Sequence, residues 1–180
     1  MSYESTPGKV GVVSNSWPKE STIHLAVDRP TLVMAVHPQC PCTQASVAEL
    51  AEAVAQTQNK ARVIVLFYAP QSVGGANGDW MNTSLHRAVA QIPGVNVVPD
   101  VDGIEARRFG AETSGHTFLF DSKGRLLFNG GITASRGHSG ENVGENNIVS
   151  LINNQTTNQT RTLVFGCSLH ERKQGTACLK

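Results

Sequence analysis

Two short runs of apolar, strand-forming residues stand out in the first half of the chain, TLVMAV at residues 31–36 and RVIVLFY at residues 62–68. A continuous apolar run of this length is typical of a strand that is buried on both faces of a sheet. The segment between the two runs carries apolar residues at helical spacing, which predicts a helix with Thr43 as its N-cap and an end near Gln58. The residues on that apolar face are Val47, Leu50, Ala51 and Val54.

The rest of the chain continues the alternation of strands and helices as far as residue 109, and a β-hairpin and a last helix follow. Helices are predicted over residues 79–91 and 100–109, with a short strand at residues 95–98 between them. The runs HTFLF and RLLFN flank the turn DSKG and predict a β-hairpin, and a last helix is expected over residues 146–153. Strands separated by helices favour parallel pairing, and the hairpin adds an antiparallel edge. The pattern therefore predicts an α/β fold, a three-layer α/β/α sandwich around a mixed central sheet.

The two ends of the chain have a different character. Residues 1–21 are dense in Gly, Pro and Ser without periodicity, so they are interpreted as an extended N-terminal arm, with a short strand expected near residues 23–27. The folded domain is expected over residues 22–168. Residues 169–180 are interpreted as a loose C-terminal tail.

Composition restricts the class of protein. The 180 residues fit one domain, and 15 Lys and Arg against 14 Asp and Glu leave no basic stripe of the kind that binds nucleic acid. The longest apolar runs are too short for a membrane span, and the first ten residues lack the apolar centre of a signal peptide. These features predict a soluble chain that is either cytoplasmic or trimmed from a longer precursor.

The four cysteines fall into two clusters, Cys40 with Cys42 and Cys167 with Cys178. A chain of this size buries a normal core without disulfides, which favours a role in reactivity or metal binding over a role in holding the fold. A structural disulfide between Cys167 and Cys178 is an alternative that the sequence leaves open.

The motif Cys-Pro-Cys lies between the first apolar strand and the first helix. Unpaired backbone N–H groups and the helix dipole stabilise an anion at such a position, so the pKa of a thiol there is expected to be low. A protonated His37 acts in the same direction. A Cys40–Cys42 disulfide closes a small, stiff ring and is expected to be easily reduced, and Cys167 or Cys178 offers a remote resolving thiol instead.

A strand, then C-x-C-T, then a helix, followed later by a β-hairpin, resembles the thioredoxin-like superfamily. Over roughly residues 30–168, the motifs HPQCPCTQAS, GGITASRGH and VFGC resemble the RedB-type bacterial thioredoxin-like proteins more specifically. The resemblance implies that Cys40 is the nucleophile. Thr43 stands where the second cysteine of a C-x-x-C motif belongs, and Cys42 is an extra cysteine inside the motif.

The resemblance also implies which other residues line the site. Thioredoxins have a cis-proline before the hairpin, opposite the cysteine, and His116 stands at the matching position, where a trans peptide bond is expected. This departure places the imidazole, or only the neighbouring backbone, near Cys40. Arg136 and His138 lie in the loop after the hairpin, which is close to the cysteines in thioredoxin-like folds; a solvated loop without a role is the alternative.

Three functions follow as hypotheses. The first is a thiol–disulfide oxidoreductase without a cofactor, whose partner is a redox protein or a disulfide-bearing substrate. The second is copper or zinc binding by His37, Cys40, Cys42 and either Cys167 or His138. The third is a thiol peroxidase activated by Thr43 and Arg136.

The resemblance finally implies a location. RedB-type relatives resemble membrane-anchored proteins that face the periplasm, with a Y-x-x-x-P-G-like stretch just after the anchor. YESTPG at residues 3–8 fits that stretch. This implies a periplasmic, membrane-anchored protein whose anchor is absent from this chain, and a cytoplasmic protein is the alternative.

Overall fold

The computed structural model describes residues 5–71, 82–138, 140 and 142–170. The strands are β1 (Thr31–Val36), β2 (Arg62–Ala69), β3 (Val95–Val101), β4 (His116–Phe120) and β5 (Leu126–Gly130). The helices are α1 (Thr43–Thr57), α2 (Ser84–Ala90), α3 (Ile104–Phe109) and α4 (Val143–Ile152). The order of strands and helices is the one that the apolar pattern predicts.

The five strands form one mixed sheet in the order β3-β2-β1-β4-β5. β1 pairs in parallel with β2, and β2 with β3, whereas β4 is antiparallel to both β1 and β5. The predicted α/β fold with a mixed central sheet is therefore confirmed. Since β1 is the central strand, the chain leaves the middle of the sheet at Val36 and enters α1 after the turn at residues 37–42.

Side chains on the two faces of the sheet pack into two separate apolar clusters. Val63, Val65 and Phe67 of β2 point into the cluster that contains α1, α2 and α4, while Ile64 and Leu66 point to the other face, against α3. This alternation is what a strand buried on both faces requires. The helices on both faces make the three layers, and α1 packs against the sheet within the first of these clusters.

Several local predictions were wrong. Residues 23–27 are not a strand. Thr43 is the first residue of α1, and Cys42 is its N-cap. β3 continues through Pro99, beyond the strand expected at residues 95–98, because β3 is an edge strand and a proline there costs no ladder hydrogen bond. The first part of the helix expected from residue 79 falls outside the described residues.

Described residues from both ends of the chain pack on the sheet. The indole of Trp17, in the predicted arm, meets the rings of Phe109 and Phe120 edge-on at 5.0 and 5.1 Å. Leu169, in the predicted tail, is buried in the same cluster. Among the described residues, no helix is both long and apolar enough to cross a membrane.

Candidate thiol site

Cys40 lies in the turn between the end of β1 and the start of α1. Its N–H donates to the carbonyl of His37 at 3.1 Å, and its own carbonyl accepts from the N–H of Thr43 at 3.2 Å. The side chain is buried, with 1% of its surface exposed, and yet it contributes to the wall of a groove of about 330 Å³. The other residues of the groove are Pro38, Gln39, Pro41, Gln44, Ser84 and Leu85. The sulfur is thus shielded from bulk water but lies beside an open surface.

Three cysteine sulfurs meet at this turn. The Sγ atoms of Cys40, Cys42 and Cys167 all lie within 4.8 Å of one another, and the three are thiols rather than disulfides. The backbone N–H of Cys167 donates to Sγ of Cys40 at 3.3 Å, across 127 positions of sequence. Cys178 lies outside the described residues. The two cysteine clusters of the sequence therefore contribute to one site.

The surroundings of Cys40 favour its thiolate. The hydrogen bond from the Cys167 side chain is the largest influence, and together with the Cys167 N–H and the hydroxyl and N–H of Thr43 it outweighs the opposing effect of burial. The pKa of Cys40 is lowered from 9.0 to about 5. At neutral pH the sulfur is therefore an anion, which is the form that attacks disulfides and binds metals.

Ser114 connects the three segments that form the site, although the sequence analysis assigned it no role. Its Oγ accepts from the N–H of His37 at 2.8 Å and lies 2.7 Å from Oγ1 of Thr43. Its N–H donates to the carbonyl of Cys167 at 2.8 Å. The only signal in the sequence was its position two residues before His116, in the segment matched to the cis-proline loop.

The backbone of Gly166 packs directly against Ser114. A Cβ atom at Gly166 would lie 1.9 Å from the carbonyl oxygen of Ser114. Only glycine allows this approach, because any larger residue collides with backbone that cannot rotate away. The close contact fixes the position of Cys167, the next residue along.

The imidazoles predicted to line the site are held by other partners. His37 is buried, its Nδ1 accepts from the N–H of Gln39 at 3.2 Å, and its ring stacks on Tyr68. His116 is fully buried, its Nε2 lies 2.6 Å from Oδ1 of Asn129, and its ring stacks on Phe118 at 4.2 Å. Burial lowers the pKa of His116 to about 4, so the ring is neutral. No described peptide bond is cis, in agreement with the expected trans bond before His116.

The loop after the hairpin reaches the site through one of its two predicted residues. The guanidinium of Arg136 donates to the carbonyl of Gly166, so it contacts the residue before Cys167. His138 is exposed, and its N–H donates to the carbonyl of Ser135 at 3.3 Å. Arg136 thus supports the segment that carries Cys167.

No protein-family model matches the chain, and no curated protein matches it in sequence. Solved structures do match its fold. A hypothetical protein from Sinorhizobium meliloti 1021 is similar with a TM-score of 0.61 at 16% identity, over 94% of this chain and 98% of that one. An uncharacterized conserved protein from Geobacillus kaustophilus has a TM-score of 0.63 at 14% identity, over 95% of each chain.

A third match has a described class. It is a thioredoxin-like protein whose solution structure was determined in the oxidised form. The TM-score is 0.50 at 13% identity, over 87% of this chain and 100% of that one. Together with the mixed sheet and the cysteine turn before α1, this likeness shows that the chain has a thioredoxin-like fold. The RedB-type subgroup stays a prediction.

Proposed function

We propose that the protein is a thiol–disulfide oxidoreductase in which Cys40 is the nucleophile and Cys167 is the resolving thiol. The observation that carries the proposal is the contact of Cys167 with the Cys40 sulfur, through its N–H at 3.3 Å and through its side chain. One neighbour thus both stabilises the thiolate and lies in position to form a bond with it.

The reaction has two exchange steps. The Cys40 thiolate attacks one sulfur of a substrate disulfide, forming a mixed disulfide and releasing the other substrate sulfur as a thiolate. The Cys167 thiol then loses its proton and attacks Cys40 Sγ, which releases the second substrate sulfur. The substrate gains two electrons as two thiols, and the protein loses them as a Cys40–Cys167 disulfide. The reverse sequence oxidises a dithiol substrate.

Cys42 is the nearer candidate in sequence for the resolving role. It is the N-cap of α1 and is half-buried, and its sulfur is within the same 4.8 Å cluster. A Cys40–Cys42 bond, however, closes a ring across the stiff Pro41, and the resulting strain makes the bond easy to reduce. We therefore assign the stable disulfide to Cys167, and we assign Cys42 the role of a competing thiol.

The substrate is a disulfide-bearing protein or a redox partner protein. The groove beside Cys40 supports this assignment, since it is open, has a volume of about 330 Å³, and is lined by both prolines that flank the cysteine. The periplasmic location and the membrane anchor belong to the same proposal, supported by the likeness of residues 3–8 to the stretch after an anchor. Fractionation of cells that express the full-length gene product tests the location.

The assay is reduction of a fluorogenic protein disulfide by the reduced protein, with non-reducing mass spectrometry of the products. Cys40→Ser is expected to abolish turnover. Cys167→Ser is expected to accumulate the mixed disulfide on Cys40, whereas Cys42→Ser is expected to turn over. If Cys42→Ser accumulates the mixed disulfide instead, the resolving thiol is Cys42.

If the wild-type protein shows no disulfide exchange at all, the proposed activity is wrong. Peroxide consumption by the wild-type protein but not by Cys40→Ser would then identify the protein as a thiol peroxidase.

A soft metal ion is the second candidate for the same site. Three sulfurs within 4.8 Å of one another fit around Cu(I) or Zn(II), because two thiolates that bind one Zn(II) at about 2.3 Å lie roughly 4 Å apart. The ligand set then becomes Cys40, Cys42 and Cys167, and His37 is not part of this cluster. Metal analysis of protein purified without chelators tests it, and protein that contains no metal and binds no added Cu(I) or Zn(II) excludes it.

A further inference from the structure

Three glutamates converge away from the thiols, where α1 meets α4. Glu49 and Glu52 lie one turn apart on α1, and Glu145 lies in the first turn of α4. One carboxylate oxygen from each residue lies within 4.8 Å of those of the other two. Glu49 is 1% exposed and Glu145 is 4% exposed, while Glu52 faces the solvent. Two of the three carboxyl groups are thus removed from water.

The cluster has no cationic partner among the described residues, since neither of the two ion pairs found there involves these glutamates. Its polar partners are few. Oε1 of Glu49 accepts from the N–H of Gly140 at 3.0 Å, and Oε1 of Glu145 accepts from Nε2 of Gln56 at 2.9 Å. Oε2 of Glu49 is buried and has no hydrogen-bond partner within the described structure. A buried carboxylate oxygen in that state is costly unless something binds it.

We propose that Glu49, Glu52 and Glu145 bind a divalent cation, with Ca²⁺ as the preferred ion. Oxygen ligands select hard cations, and the cluster contains only oxygens. Ca²⁺ binds oxygens at about 2.3–2.6 Å, so two of its ligands lie at most roughly 5 Å apart, and oxygens within 4.8 Å of one another are close enough to share one ion. The exposed Glu52 marks the side from which the ion enters and where water completes its coordination.

The carboxylates lie together with no ion-pair partner among the described residues, so those that are ionised repel one another. A bound cation replaces that repulsion with attraction and connects α1 to α4 and to the loop at Gly140.

The test is calorimetric titration of the full chain with CaCl₂ after treatment with a chelator and removal of the chelator, together with thermal melting. One Ca²⁺ per chain and a higher melting temperature are expected, with weaker binding of Mg²⁺, which demands a smaller octahedral site. Glu52 is exposed, so Glu52→Gln is expected to leave the fold intact. It is expected to weaken Ca²⁺ binding about tenfold or more, because affinity depends on the number of charged ligands. Glu145→Gln is expected to do the same.

The matched control is Glu20→Gln, which removes an exposed glutamate outside the cluster. It is expected to bind Ca²⁺ as wild type does. Wild-type protein that shows neither heat of binding nor a melting shift overturns the proposal. Binding that persists unchanged in both Glu52→Gln and Glu145→Gln overturns it as well, because the ion is then held elsewhere.

Discussion

Removing the Cys167 side chain is expected to make Cys40 a weaker acid. The lowering of the Cys40 pKa from 9.0 to about 5 corresponds to roughly 5 kcal/mol of preference for the thiolate. The largest influence is the hydrogen bond from the Cys167 side chain. A hydrogen bond to a charged group is worth about 1.5–3 kcal/mol, and a thiol is a weak donor, so we take the lower end. Its loss then moves the titration midpoint upward by about one pH unit.

A matched pair of variants isolates this hydrogen bond. Cys167→Ala removes the donor, while Cys167→Ser replaces it with a hydroxyl, and both keep the backbone N–H that reaches Cys40. Each is made with Cys42→Ser and Cys178→Ser, so that Cys40 is the last thiol. The ultraviolet absorbance of the thiolate is then followed against pH. We expect the serine variant to titrate well below an ordinary thiol and the alanine variant about one pH unit higher. Equal midpoints, or midpoints near the ordinary value of about 8.5, would refute the reasoning.

The same thiolate makes the stability of the reduced protein depend on pH. The folded pKa of Cys40, about 5, lies below the unfolded value of 9.0. The stabilisation is therefore complete above the unfolded value and is lost as the pH falls through about 5. Chemical denaturation of reduced protein is expected to show stability rising over that window, with a weaker rise in Cys40→Ser.

Three further predictions concern buried residues of the fold. His116 is neutral in the fold, with a pKa of about 4 against 6.5 when unfolded, so stability is lost as the pH falls between these values. His116→Gln is expected to lose less stability over that range, measured by chemical denaturation at a series of pH values. Gly166→Ala places a Cβ 1.9 Å from the Ser114 carbonyl and is expected to lower the melting temperature and slow Cys40–Cys167 disulfide formation, measured by mass spectrometry. Its control, Gly137→Ala, meets no atom within 4 Å but strains a backbone with a φ of +69°, so it is expected to lower the melting temperature and leave that rate unchanged. Leu50→Ala opens a cavity at a fully buried position and is expected to cost about 2–5 kcal/mol in chemical denaturation.

The sheet could be predicted from the sequence because strands that are buried on both faces consist of continuous runs of apolar residues. The runs at residues 31–36 and 62–68 are apolar throughout, as strands packed on both faces must be. The hairpin was equally clear, since the turn DSKG separates two apolar runs. The strand expected at residues 95–98 is too short because the sequence does not distinguish an edge strand, which tolerates Pro99, from a central one.

The candidate site was only partly predictable. Cys40 was assigned from its place before a helix, which is a local feature. Ser114 acts through contacts with His37 and Thr43, more than 70 positions away, and a serine in a loop carries no mark of such contacts. The placement of Cys167 depends in turn on Gly166, whose role appears only when the two backbones are seen to touch.

The distance along the chain between Cys40 and Cys167, 127 positions, has a consequence for folding. A disulfide between them closes a loop that contains most of the protein, and in the chain-entropy model such a loop restricts the unfolded state by roughly 5 kcal/mol. A Cys40–Cys42 disulfide closes a loop too small to restrict it. A Cys40–Cys167 disulfide therefore also stabilises the whole fold as a cross-link. This gain compensates for the stabilisation by the Cys40 thiolate, which is lost when the thiolate is oxidised. Redox state and resistance to unfolding are linked in this chain through the choice of resolving thiol.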